Sequence, residues 1–190
     1  MSSALAFSVT GSGPPVVILH GLFGSATNWR RIAEGLSDQR QIFSVDLPNH
    51  GESPWTDDMS YPAQAALLAD FLSVEVPESP ILIGHSMGGK VAMTLALQHQ
   101  ILLGALVVVD IAPTAYPPTH EPLVEAMKSL DLAAIRNRRE AEMQLEKAIP
   151  EKALRQFLLQ NLRSTSDGLR WRINLEVIHR QMGALTGFDV

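Results

Sequence analysis

A serine framed by glycines is the residue most able to do chemistry in this 190-residue chain, in Gly84-His85-Ser86-Met87-Gly88. The apolar run Ile81-Leu82-Ile83 precedes it, and an apolar helical pattern from Met87 to Gln100 follows. G-x-S-x-G between a strand and a helix is the setting of a nucleophile elbow. Such a turn strains the serine backbone and pushes its hydroxyl out above the sheet. Residues two before and two after it must be small, because strand and helix backbones nearly touch there. The helix points its amino end at the serine, so free N–H groups and the helix dipole favour a developing oxyanion. A hydroxyl so placed attacks an acyl carbon and carries the acyl group as a covalent intermediate.

An independent signal lies upstream. Val16 to Leu19 is a continuous apolar run, as a parallel strand buried on both faces requires, and His20-Gly21-Leu22-Phe23-Gly24-Ser25 follows directly. A His-Gly step after a buried strand turns the backbone sharply and leaves the next N–H groups free. Paired with an elbow, that loop supplies one oxyanion donor and the residue after the nucleophile supplies the other. The candidates are Leu22, or its neighbour Phe23, and Met87. A rival pattern overlaps the elbow. Gly84-x-x-x-x-Gly89-Lys90 matches most of a phosphate-binding loop, and Asp110 after Leu106-Val107-Val108-Val109 resembles a magnesium-side aspartate. There Lys90 would touch phosphate; beside an elbow it is a helix residue whose loss is mild. Val91 stands where that loop needs a hydroxyl on the metal. A purely structural Gly/Ser turn is the blandest alternative.

These residues need a scaffold, and the hydrophobic pattern supplies one. Leu5 to Val9, Gln41 to Val45 and Leu103 to Val109 read as further strands. Helices are predicted over Thr27 to Leu36, after Ser60 with Ala65, Leu68, Ala69 and Leu72 inward, and along the elbow helix. Pro77-Glu-Ser-Pro80 breaks the chain before the elbow strand. In the loop Asp46 to Ser53, Asp46 is expected to bond loop N–H groups. Strand and helix alternate, which predicts an α/β fold with a doubly wound, mostly parallel sheet and right-handed crossovers. From Thr114 the pattern changes to successive helical faces: Leu123, Ala126, Met127 and Leu130; Ala141, Leu145 and Ala148; Leu154, Phe157, Leu158 and Leu162. Leu169, Trp171 and Ile173 alternate as a short extended piece, and Asn174 caps a last helix with Leu175, Ile178 and Met182. The division is therefore a core over 1–113, an all-helical lid over 114–186, and the start of a return to the core over 187–190. Phe23, Trp171 and Ile178 are the candidate lining of an acyl pocket beneath the lid.

Composition narrows the classes. With net charge −5 and no basic cluster longer than Arg136-Asn-Arg138-Arg139, a nucleic-acid surface is not expected. The absence of cysteine excludes disulfides and thiolate zinc sites. The start, MSSALAFSVTGSG, shows no secretory pattern, and no apolar run reaches the ~20 residues of a membrane span, so a cytoplasmic location is expected.

Taken together, HGLFGS, DLPNHGES, GHSMGGK and VVVDIAP resemble the α/β-hydrolases, and more narrowly the YbfF-type bacterial esterases and the abhydrolase-domain-11 proteins. The likeness runs from about Val16 to Phe188. It implies a serine esterase that takes small-molecule carboxylic esters or thioesters of short to medium acyl length, with no metal or organic cofactor. It also implies a nucleophile at Ser86, oxyanion donors at Leu22 and Met87, a helical lid, and a triad acid at Asp110. The family places its histidine after the last strand, beyond the lid. His179 alone keeps the order Ser, Asp, His, but it falls inside a helical pattern of the lid. The expectation is that the seventh and eighth strands and the histidine segment are missing. The chain would then be one piece of a longer hydrolase, inactive alone and prone to self-association through the uncovered strand Leu103 to Val109.

Overall fold

The computed structural model describes residues 4–76, 78–99, 103–166 and 168–188. The positions at Pro77, Gln100 and Asp189-Val190 on which the sequence reading touched lie outside the described residues. Five strands form one sheet: β1 (Phe7–Thr10), β2 (Pro15–Leu19), β3 (Gln41–Val45), β4 (Ile81–His85) and β5 (Ala105–Val109), in the order β1-β3-β2-β4-β5. Strands β2 to β5 run parallel, and β1 pairs antiparallel with β3. This is the mostly parallel, doubly wound sheet that the alternating pattern predicts. Every residue of β2 is buried, which is why PVVIL carries no polar alternation.

Helix α1 (Arg30–Leu36) follows a 3-10 turn over Ala26–Trp29, so the helix predicted from Thr27 is split in two. Ser25 and Asn28 tie the start of that turn, the Ser25 N–H donating to Asn28 Oδ1 at 2.7 Å and the Asn28 N–H to Ser25 O at 3.0 Å. Helix α2 (Tyr61–Glu75) is capped by Ser60, whose hydroxyl accepts from the Ala63 N–H. Helix α3 (Met87–Gln98) leaves the elbow and is buried along most of its length as far as Leu95, packing on both β4 and α2. The larger core joins the sheet, α2, α3 and the segment after Asp110; a smaller one, Val16, Ile18, Ala33 and Ile42, lies under α1.

The segment after β5 contains α4 (Glu121–Lys128), α5 (Arg138–Leu145), α6 (Lys152–Leu158), α7 (Leu175–Arg180) and α8 (Met182–Thr186). It is not all-helical. The third predicted helix stops at Leu158, and Leu162 opens a hairpin of β6 (Leu162–Thr165) and β7 (Gly168–Trp171). Gly168, at φ 116, takes a backbone angle that L side chains rarely adopt and starts the return strand. Among the described residues β5 is an edge of the sheet, with Leu106 38% and Val107 41% exposed.

Candidate active site

Ser86 sits between β4 and α3 at φ 50, ψ −118. A left-handed φ costs a non-glycine residue roughly 1–3 kcal/mol and persists only where neighbours hold it. Here the Ser86 N–H donates to the Val109 carbonyl at 3.0 Å, and the Ser86 carbonyl accepts from Gly89 and Lys90. The framing glycines answer to space rather than to φ. A Cβ on Gly84 would run into the Gly88 carbonyl, and one on Gly88 would stand 2.6 Å from the His20 carbonyl oxygen. Strand, elbow helix and His-Gly loop thus meet at backbone distance.

Neither the Leu22 N–H nor the Met87 N–H has a hydrogen-bond partner among the described residues, and both residues border the same cavity as Ser86. Met87 is the first residue of α3, so the helix itself offers it no acceptor. Phe23 is not the alternative donor, because its N–H is taken by His50 Nε2 at 3.3 Å. Ser86, Leu22 and Met87 line one cavity of about 200 Å³, closed by Tyr61, Ile111, Tyr116, Met182 and Leu185. A second cavity of about 290 Å³ shares Leu22 and is bounded by Trp29, His85 and Phe157.

The acyl-lining candidates fare differently. Phe23 is absent from the Ser86 cavity: at φ 63 its backbone turns and its side chain is buried in the main core. Trp171 lines a separate groove with Trp55, Leu130 and Ile173 and does not border the Ser86 cavity. Ile178 is fully buried on α7 and does not line the Ser86 cavity. The apolar wall comes instead from α8 and from the loop after β5. Sequence spacing has no signal for that, since Tyr116 lies in an irregular Pro-rich stretch.

Asp110 follows β5 at φ 56 with a side chain 87% exposed, and its Oδ2 lies 3.9 Å from His85 Nε2. Among the described residues nothing hydrogen-bonds the Ser86 hydroxyl. His120, an exposed residue, shares the Ser86 cavity, and partial desolvation there lowers its pKa. His179 instead lies on α7, where Nδ1 is 3.3 Å from Lys128 Nζ and Nε2 is 4.0 Å from Glu125. It belongs to the α4–α7 packing and does not line the cavity.

His20 and His50 are buried beneath the Leu22 turn. Burial lowers their pKa values to about 4 and about 3. His20 Nε2 accepts from Leu47 N–H at 2.9 Å, which leaves Nδ1–H to donate to Gly21 O. His50 is arranged in the same way between Phe23 N–H and Pro48 O. Asp46 takes the Ala26 and Glu52 N–H groups at 2.7 and 3.0 Å, as its loop role requires.

Lys90 overturns the phosphate-loop pattern, and with it the expectation that its loss is mild. It is 2% exposed, and Nζ donates to Thr186 O at 3.1 Å and Gly187 O at 2.6 Å. The ammonium lies 5.0 Å from the Tyr116 ring centre and 5.5 Å from that of Tyr61. Burial lowers its pKa. Its cation is committed to the carboxyl end of α8, not to an anion site at the amino end of α3.

Among the described residues the non-glycine residues with left-handed φ are Phe23, Asn49, Ser86 and Asp110. Each follows the carboxyl end of one of the four parallel strands, on one rim of the sheet. In open α/β sheets ligands bind outside the carboxyl ends of the strands.

With elbow, His-Gly loop and sheet order established, the class follows. The chain belongs to the α/β-hydrolase-fold family, whose model matches residues 14–183. It is 44% identical over 184 residues to the sn-1-specific diacylglycerol lipase ABHD11 of Xenopus tropicalis, covering 93% of this chain and 58% of that protein. Against the esterase YbfF of Escherichia coli K12 it is 35% identical over 176 residues, covering 92% and 68%. A solved marine microorganism esterase superposes with a TM-score of 0.95 at 40% identity, covering all of this chain and 76% of that one. The chain therefore spans about three fifths of the length of the ABHD11 relative.

Proposed function

We propose that the protein is a serine esterase that cleaves carboxylic esters or thioesters of short to medium acyl chains through an acyl-enzyme on Ser86. The observation that carries this is the strained Ser86 at the amino end of α3, lining one apolar cavity with Leu22 and Met87, whose N–H groups have no partner among the described residues. In this mechanism Ser86 Oγ attacks the ester carbonyl as a histidine takes its proton. The N–H groups of Leu22 and Met87 hold the oxyanion, and the histidine returns the proton to the leaving alcohol or thiol. Water then repeats the attack and frees Ser86. Asp110 orients the histidine from the end of β5 and stabilises its cation. No described contact of Ser86 supplies that histidine, so the activity is assigned to the full-length protein. The core of 1–113 carries nucleophile and acid, and the segment 114–186 acts as the lid. The relatives named as a lipase and an esterase support ester substrates.

Because no described residue activates the Ser86 hydroxyl, a ligand-binding hydrolase fold without turnover is the second reading. A fluorophosphonate separates the two. Covalent labelling of the full-length protein, lost in Ser86→Ala, is the expected outcome, with hydrolysis of p-nitrophenyl butyrate abolished in the same variant. Asp110→Asn is expected to lower kcat by several orders of magnitude with KM little changed. Absence of labelling, or turnover retained in Ser86→Ala, removes the nucleophile assignment.

A further inference from the structure

We propose that Asn161, a residue of the segment after β5, is a positioning residue for the oxyanion donor Leu22. This makes the seating of the lid part of the catalytic geometry. The inference rests on the esterase reading above, and it starts from three successive peptide groups.

The peptide joining Gly21 to Leu22 carries the candidate donor. Its carbonyl accepts from His20 Nδ1–H and from Gly24 N–H, both at 2.9 Å. No described peptide bond is cis, so N–H and C=O of one peptide point in opposite directions. Fixing that carbonyl on one side therefore aims the Leu22 N–H to the other. The next peptide is held by its N–H, which Phe23 donates to His50 Nε2 at 3.3 Å. The third is held by its carbonyl, Phe23 O, which accepts from Asn161 Nδ2 at 2.7 Å.

Phe23 lies between the second and third of these peptides at φ 63. A phenylalanine does not stay there unassisted. His50 holds one side of it and Asn161 the other. His50 belongs to the core loop after β3, whereas Asn161 arrives from 138 residues away in the chain. The Asn161 amide also donates to Leu158 O at 3.2 Å, so one hydrogen ties it to the end of α6 and the other to the loop. His20, Phe23, His50 and Asn161 are all buried. Without Asn161 the Phe23 carbonyl would be a buried acceptor with no partner, and the turn would relax to find one.

A second lid asparagine provides the contrast. Asn174 Nδ2 donates to Asn49 Oδ1 at 3.1 Å, and its N–H donates to Asn49 O at 3.0 Å. It seats the lid on the β3 loop without touching the Leu22 turn. Seating alone can thus be separated from aiming the donor.

The test compares Asn161→Ala and Asn174→Ala in the full-length protein by two readouts. The first is hydrogen exchange of the segment 20–26, which does not depend on catalysis. Exchange is expected to accelerate in Asn161→Ala and to stay near wild type in Asn174→Ala. The second is kinetics on p-nitrophenyl butyrate together with the rate of fluorophosphonate labelling. Asn161→Ala is expected to lower kcat and the labelling rate by about 10–100-fold, with KM within about twofold, since only transition-state stabilisation is lost. Equal exchange at 20–26 in Asn161→Ala and wild type overturns the clamp. Faster exchange with kcat unchanged also overturns the proposal, because the clamped turn then does not serve the donor. If the wild type neither labels nor turns over, the esterase reading has failed. The exchange data then decide whether Asn161 holds the turn, and the catalytic half of the proposal falls with the reading.

Discussion

His20 and His50 stand beneath the Leu22 turn with ring centres 5.1 Å apart, and both are held neutral by burial. Each has a folded-state pKa below the ordinary 6.5, near 4 and near 3. The unfolded chain therefore takes up these protons first as pH falls. The stability they contribute is complete above pH 6.5 and is lost as pH drops through 4 and towards 3. Within that window each site changes stability by about 1.4 kcal/mol per pH unit. Urea unfolding at pH 7, 5.5 and 4.5 is expected to show a steep loss, flatter in His50→Gln; a fall no steeper in wild type than in the variant contradicts it. At this scale the sequence revealed the groups that follow from backbone geometry. Ser86, Leu22 and Met87 are where a G-x-S-x-G turn and a His-Gly step must put them. The sequence did not reveal Phe23 as a buried, clamped residue, because that depends on Asn161, which is distant in the chain.

Lys90 joins elements that are remote in sequence. Its ammonium links α3 to the end of α8, while Tyr61 Oη of α2 donates to Leu185 O at 2.6 Å and Tyr116 N–H donates to Thr186 O at 2.9 Å. Three carbonyls in a row, Leu185 to Gly187, thus accept from α2, from α3 and from the loop after β5. Removing the ammonium leaves the Gly187 carbonyl without its donor. Lys90→Met is therefore expected to lower unfolding stability by about 1–3 kcal/mol, since bonds to a charged group are worth more than neutral ones. An unchanged urea midpoint would show that the bonds to Thr186 and Gly187 contribute nothing net. The helical period placed Lys90 on α3 but not the direction of its charge. A lysine four residues after a serine looks the same whether it meets phosphate, water or a carbonyl. The hairpin escaped detection for a related reason. Leu162 continues the apolar spacing of Leu154 and Leu158, yet the helix stops at Leu158 and a 3-10 turn over Leu159–Asn161 brings Asn161 to the Phe23 loop.

At the scale of the molecule, the mostly parallel sheet and the strand-turn-helix at Ser86 were legible, because buried strands announce themselves as unbroken apolar runs, whereas the strand order was not. The exposed face of β5 departs from that logic. Leu106 and Val107 have the composition of an interior strand but lie exposed at an edge among the described residues. Unpaired backbone beside apolar side chains invites another strand. The isolated 190-residue chain is expected to self-associate, its mass by light scattering rising with concentration, and Leu106→Lys is expected to reduce the effect. A monomer at every concentration contradicts this. The α7–α8 region also carries no helix long and apolar enough to cross a membrane, nor does any other described helix.

The four left-handed residues on one rim bear on how such proteins can be altered. Left-handed φ is disfavoured by the Cβ atom itself, so glycine is the one substitution that removes strain at Phe23, Asn49, Ser86 or Asp110 without moving the backbone. Glycine also frees the unfolded chain, so the local relief and the added entropy oppose each other. Attempts to raise thermal tolerance by consensus or computational redesign would gain little at these positions and would loosen the rim that must stay rigid. The far rim, at the amino ends of the same strands, has no such residue among those described. An engineer can insert, truncate or circularly permute there and leave the strained side untouched.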